Sequence, residues 1–151
     1  MNNALCGADC TSCGYGKENN CKGCADSLGC PFGKQCFIYK YIKIGGMESY
    51  QLFVKQLVDE FNSLGIQGMP AVSEMYAMNG AYVNIAYPMP GGESVKLLDD
   101  NSIYLCNQVE CDFGDGEMRK CFGLVAGMDF LLVSEYGENC TNPELVVYRK
   151  R

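Results

Sequence analysis

Seven of the eleven cysteines fall between Cys6 and Cys36. Their order is Cys6-x3-Cys10-x2-Cys13-x7-Cys21-x2-Cys24-x5-Cys30-x5-Cys36. A C-x-x-C turn aims two sulfurs at one ion. Two such turns supply the four ligands of a tetrahedral zinc site, with Zn–S near about 2.3 Å. Cys10, Cys13, Cys21 and Cys24 are therefore the first choice of metal ligands. Cys6, Cys30 and Cys36 are left over as buried small apolar residues, as replacements for one of the four, or as part of a second site. Spacing leaves this pairing open.

Zinc is the expected cofactor, and an iron–sulfur cluster is the alternative. Cys6-x3-Cys10-x2-Cys13 has the spacing of a radical-SAM cluster motif, but that chemistry belongs to long barrel enzymes that 151 residues do not build. The regular bacterial ferredoxin run is also absent, with Cys30-Pro31 a mere fragment of it. The chain has no histidine. That excludes mixed Cys/His zinc sites, histidine-based catalytic zinc, and Ser-His or Cys-His nucleophilic pairs. A closed four-cysteine site has no open position for water, so it favours structure over catalysis.

The segment that carries these sulfurs has no long apolar period, so a metal must order it. A module over residues 1–46 is expected to bind zinc, and residues 47–151 to form an α+β domain. The first part holds five Lys against three Asp/Glu, and the second holds seven Lys/Arg against fifteen Asp/Glu. Neither half has the basic field that nucleic-acid binding requires. Met1-Asn2-Asn3-Ala4 shows no secretory pattern, and no stretch approaches the roughly 20 apolar residues that span a bilayer. A cytoplasmic, soluble chain with reduced thiols is the expectation.

Periodicity predicts the elements. A short helix runs from about Lys34 to Ile44 and ends at Gly45-Gly46. A longer one runs from about Glu48 to Leu64, where Tyr50, Phe53, Val54, Leu57, Val58, Phe61 and Leu64 form a wide apolar stripe. A helical turn is expected within residues 71–76. From residue 81 the period falls to two. Strands are expected at Tyr82–Tyr87, Glu93–Leu98, Ser102–Asn107, Lys120–Ala126, Phe130–Tyr136 and Leu145–Tyr148. The fold class is thus α+β, a long amphipathic helix packed on an antiparallel meander.

Cys6-Gly7-Ala8-Asp9-Cys10-Thr11-Ser12-Cys13-Gly14-Tyr15 with Cys21-Lys22-Gly23-Cys24 resembles the bacterial and archaeal cysteine-rich family catalogued as domain of unknown function 3795. The resemblance covers residues 4–46, with further likeness at 107–110 and Arg119–Gly123. It implies zinc held by these cysteines and no established activity. Members often carry a further C-x-x-C after the helix. Here Gly45-Gly46-Met47-Glu48 runs straight into the long helix, which speaks against a second complete site.

Beyond the first segment, Cys106 and Cys121 are expected to pack as small apolar side chains, or, as strand neighbours, to meet. Positive charge at Arg119-Lys120 offers a route to a reactive Cys121. Glu110, Asp112, Asp115 and Glu117 lack calcium-loop spacing and read as a solvated hairpin tip. Met69, Met75, Met78 and Met89 read as core filler or an adaptable groove. Tyr76, Tyr82, Tyr87 and Tyr104 would form a ligand or partner surface if the second face of the sheet stays open. The expected function is a non-enzymatic, zinc-stabilised binding or interaction module for a protein or small molecule. A redox or metal-handling protein is the alternative.

Overall fold

The computed structural model describes residues 36–111, 120–136 and 142–151. Its first element, α1 (Phe37–Asn62), consists of two helical segments that meet at a kink. Gly46 makes the kink, with φ 81° and ψ 173°, a region that side-chain-bearing residues enter only under strain. The two expected helices are therefore continuous around one glycine. Beyond the kink, Tyr50, Phe53, Leu57 and Phe61 are buried, while Val54, Val58 and Leu64 pack at the margin of the same core. Each such buried side chain contributes about 1.5–3 kcal/mol. Ile38 and Ile42, from the segment before the kink, enter this core as well, and so does Cys36 at the head of the helix.

The strands are β1 (Tyr76–Asn79), β2 (Ala86–Pro88), β3 (Ser94–Lys96), β4 (Ile103–Cys111), β5 (Lys120–Ala126), β6 (Phe130–Tyr136) and β7 (Glu144–Lys150). Five of them form one antiparallel sheet in the order β1-β4-β5-β6-β7. Side chains alternate between its faces with period two. Leu105, Phe122, Leu124, Ala126, Leu131 and Val133 point to the α1 core. Tyr104, Cys106, Val125 and Leu132 point the other way. The expected α+β architecture, one long helix on an antiparallel sheet, is what the chain adopts. Arg151 ties the layers together. Its guanidinium pairs with Glu60 of α1 at 2.7 Å, donates to the Met128 carbonyl at 3.2 Å and lies 5.0 Å from the Phe53 ring centroid.

The second face is covered rather than open. Residues 80–102 leave the sheet between β1 and β4, form the single turn α2 (Gly80–Val83) and the β2–β3 hairpin, and lay Tyr87 against Tyr104, Cys106, Val125 and Leu132. Two expectations are corrected between residues 71 and 87. Of Tyr82–Tyr87 only Ala86 and Tyr87 are strand, within β2, because Asn79 Oδ1 accepts from the Ala81 amide at 2.8 Å and starts a helical turn through Val83. Residues 71–76 make no helical turn either. Asn62 grips Val72 on both sides, donating from Nδ2 to its carbonyl at 3.0 Å and accepting its amide on Oδ1 at 2.9 Å, and the chain arrives extended at β1.

Candidate functional site

Six of the seven clustered cysteines, Cys6, Cys10, Cys13, Cys21, Cys24 and Cys30, lie outside the described residues, as do the acidic tip at 112–119 and Cys140. Cys36 is inside and buried in the main core, so the last cysteine of the series stands where the cysteine segment enters the α+β domain. Among the described residues, no group of three or more His, Cys, Asp or Glu side chains converges as a metal site. Cys106 and Cys121 are both buried, as small apolar residues would be. They do not meet. Cys106 pairs with Val125, four positions from Cys121 along β5, a separation of about 13 Å. Sulfurs sharing one zinc must each sit about 2.3 Å from the ion. Burial also pushes the Cys106 thiol up to about 12, far from the thiolate that reactive or ligating cysteines use.

A groove of about 290 Å³ lies on the second face of the sheet, where the covering layer runs out. Tyr76 of β1, Tyr82 of α2 and Tyr136 of β6 wall it, and Cys106, Gly123 and Ser134 line its floor. Register brings these residues together. Tyr76 stands opposite Cys106, Gly123 opposite Ser134, and Tyr136 follows two residues later on the same face. Gly123 is the residue that permits the arrangement. A Cβ there would sit 2.9 Å from Ser134 Oγ and 3.0 Å from Tyr136 Cε2, so any side chain would push the tyrosine ring off the strand. Glycine inside a strand commonly marks such a close approach.

The floor carries one buried hydroxyl, that of Ser134, and a second, that of Tyr87, lies in the core beneath the covering layer. Ser134 is 1% exposed, and its Oγ makes a long 3.4 Å contact to the Gly123 carbonyl. Tyr87 is fully buried, and its hydroxyl lies beside Ser134 without reaching hydrogen-bond geometry. Burial raises the Tyr87 phenol above its ordinary 10.0, and the Ser134 hydroxyl partly offsets that rise. Leaving a buried hydroxyl without a partner costs about 1–3 kcal/mol. At the rim, the Tyr76 hydroxyl donates to the Glu74 carboxylate, which raises the Tyr76 phenol above its ordinary value. No Asp, Glu, Lys or Arg is found among the described residues lining the groove.

Of the tyrosines singled out from the sequence, Tyr76 and Tyr82 reach this groove, whereas Tyr87 and Tyr104 are core. Of the methionines, Met75 is buried, Met69 and Met89 pack against the cores, and Met78 lines the groove. Sequence reasoning missed Gly123, Ser134 and Tyr136. A glycine in the middle of the β5 alternation was the available signal.

No family model, no curated protein and no solved structure matches the chain. No helix among the described residues is long and apolar enough to cross a membrane.

Proposed function

We propose that the chain is a non-enzymatic binding module: a structural zinc ion holds the cysteine segment, and the α+β domain offers the recognition site in its tyrosine-walled groove. The observation that carries the binding half is the makeup of the groove, walled by Tyr76, Tyr82 and Tyr136, with no charged side chain in its described lining and the polar groups of Asn107, Gln108 and Ser134 along it. Pockets that bind small molecules have this makeup, mostly apolar walls with a few placed polar groups. The zinc half rests on the twin C-x-x-C spacing of Cys10/Cys13 and Cys21/Cys24, with Cys6, Cys30 and Cys36 as alternatives. Cys36, the last cysteine of the series, is buried in the core of the domain.

Metal analysis of the purified chain tests the zinc half. About one zinc per chain is expected, as a single four-sulfur site requires, and chelation should release it with loss of protection from proteolysis in residues 4–36. A chain with no bound metal and an unaltered digestion pattern refutes it. The spacing Cys6-x3-Cys10-x2-Cys13 favours a second reading, a redox or metal-handling protein with an iron–sulfur cluster. Visible absorbance after anaerobic purification would establish that reading, and a colourless, zinc-loaded protein removes it.

A further inference from the structure

We infer that the free edge of β1 pairs antiparallel with the same edge of a second copy of the chain, joining the two sheets in a two-fold dimer. Such a dimer is independent of the groove's ligand and of the zinc site.

The outer strands of a sheet present unpaired N–H and C=O groups that template pairing with another chain, and folds that must stay apart blunt them. The two edges of this sheet are β1 and β7, and they are treated differently. On β7 the register slips at Val133/Ser134, which leaves Val146 without an opposite residue, and Glu144, Arg149 and Lys150 are exposed along the strand. A bulge and charges of this kind discourage pairing. β1 has neither. Its sequence Tyr-Ala-Met-Asn is uncharged and free of proline, and its register with β4 runs unbroken from Tyr76 to Asn79.

Register also fixes where the backbone groups point. Gly80 donates its amide to the Ser102 carbonyl at 2.7 Å, and this pair continues the register of Asn79 with Ile103. Bonding direction alternates along a strand, so Tyr76 and Met78 also bond inward to β4, while Ala77 and Asn79 turn outward. Among the described residues, nothing bonds to the outward N–H and C=O of Ala77.

Side chains then choose the partner. Tyr76 and Met78 lie on the second face and are 53% and 39% exposed, apolar surface beside an open edge. Let Ala77 of each copy lie opposite the other on a two-fold axis. The two Ala77 residues exchange N–H and C=O, and Tyr76 of each copy faces Met78 of the other. These are non-hydrogen-bonded pairs, the closer kind, with Cα atoms about 4.5 Å apart. A thioether against an aromatic ring is a favourable cross-strand contact. One strand supplies both members of each pair, so the edge is complementary to itself, as an isologous dimer requires. Further along, Asn79 falls opposite Met75 and Glu74 opposite Gly80, so no like charges face each other.

Sedimentation of the full chain tests this, under reducing conditions that keep its cysteines from cross-linking copies. A monomer–dimer equilibrium is expected at up to about 1 mM chain, where even a dissociation constant of that size registers. Ala77→Pro removes the outward N–H without touching the ladder to β4, the one setting in which an edge strand tolerates proline, and should leave a folded monomer. Met78→Glu, at an exposed position, sets a carboxylate against Tyr76 of the second copy and near its Glu74, and should weaken the dimer about tenfold or more. Nuclear Overhauser contacts between the Tyr76 ring of one copy and the Met78 methyl of the other, in a mixed isotope-labelled sample, should identify the register. A chain that stays monomeric across this range overturns the inference. So does a dimer that both variants leave intact, which places the interface elsewhere. If Ala77→Pro unfolds the chain, Met78→Glu alone decides.

Discussion

The wall of the groove depends on one buried asparagine. Asn84 closes α2 and is 5% exposed. Its Nδ2 donates to the Leu98 carbonyl at 2.7 Å and to Asp100 Oδ1 at 2.9 Å, and its Oδ1 accepts the Leu98 amide at 2.8 Å. It thereby ties the start of the covering excursion to its end and positions Val83 and Ile85 at the groove. Asn84→Ala removes both backbone bonds and leaves the Leu98 amide and carbonyl unsatisfied. At about 1 kcal/mol net per bond, with a further desolvation cost for each partly buried orphan, the loss should be about 2–4 kcal/mol. The bond to Asp100, whose carboxylate keeps contact with water, is left out of that figure.

Two measurements check it: urea denaturation, and hydrogen exchange at the Leu98 amide, which Asn84 itself protects. A loss below about 0.5 kcal/mol, the range of an ordinary surface change, together with unchanged Leu98 exchange, would refute the reasoning. Asn84→Asp separates the roles of the two side-chain atoms. It keeps the acceptor for the Leu98 amide but sets a carboxylate against the Leu98 carbonyl and Asp100. The pH dependence should then invert. In the wild type, the Asn84 amide and then Lys96 hold Asp100 below its ordinary 3.8. A depressed carboxyl stabilises the fold above its unfolded pKa, and that contribution is lost as pH falls below 3.8 through the lowered value. Asn84→Asp should instead gain stability relative to wild type on acidification, as protonation relieves the facing carboxylates.

Two other outcomes follow from single positions, beside the metal and self-association tests above. Gly46→Ala should destabilise by about 1–3 kcal/mol in urea, since φ 81° with ψ 173° is strained for any residue with a Cβ; an unchanged midpoint would mean that the kink is not required. Cys106, whose thiol burial pushes up to about 12, should be alkylated by iodoacetamide at about pH 8 only as fast as the fold opens; rapid labelling in native conditions, read by peptide mass mapping, would contradict this burial. Because the folded value lies above the unfolded 9.0, that thiol also favours the fold below pH 9 and ceases to do so as pH climbs towards 12.

Much of the fold was legible because the pattern was clean. Lys120–Ala126 and Phe130–Tyr136 are strands where the alternation places them, and the stripe from Tyr50 to Phe61 is the buried face of α1. Both signals come from continuous burial against a neighbouring layer. What was not legible depends on single polar side chains. Tyr82–Tyr87 alternates like a strand, yet the Asn79 cap offers the backbone a local bond that a ladder cannot match. Residues 71–76 look helical, yet Asn62, ten residues before Val72, holds that residue extended. Neither asparagine announces its partner in the sequence. The groove was half legible, since the tyrosines stood out, but which of them it keeps depends on strand register.

That register also explains why the groove is where it is. Along the second face, side-chain size dips beyond one crowded aromatic end before Tyr136 closes β6. Tyr104, Phe130 and Tyr148 crowd one end, with Phe130 edge-on to Tyr104 at 5.8 Å and stacked on Tyr148 at 5.7 Å. Towards the far ends of β5 and β6 the residues shrink to Cys106, Gly123 and Ser134. The excursion of residues 80–102 packs Tyr87 over the middle of this gradient, between Val125 and Leu132. A groove remains beyond it, walled by Tyr76, Tyr82 and Tyr136, with the Tyr136 ring resting over Gly123. A Leu or Val at Gly123 could not seal the face, because its Cβ alone would meet Ser134 Oγ at 2.9 Å and the Tyr136 ring at 3.0 Å. Glycine at this position, costly in backbone entropy, is what lets the Tyr136 ring lie across β5 beside Ser134.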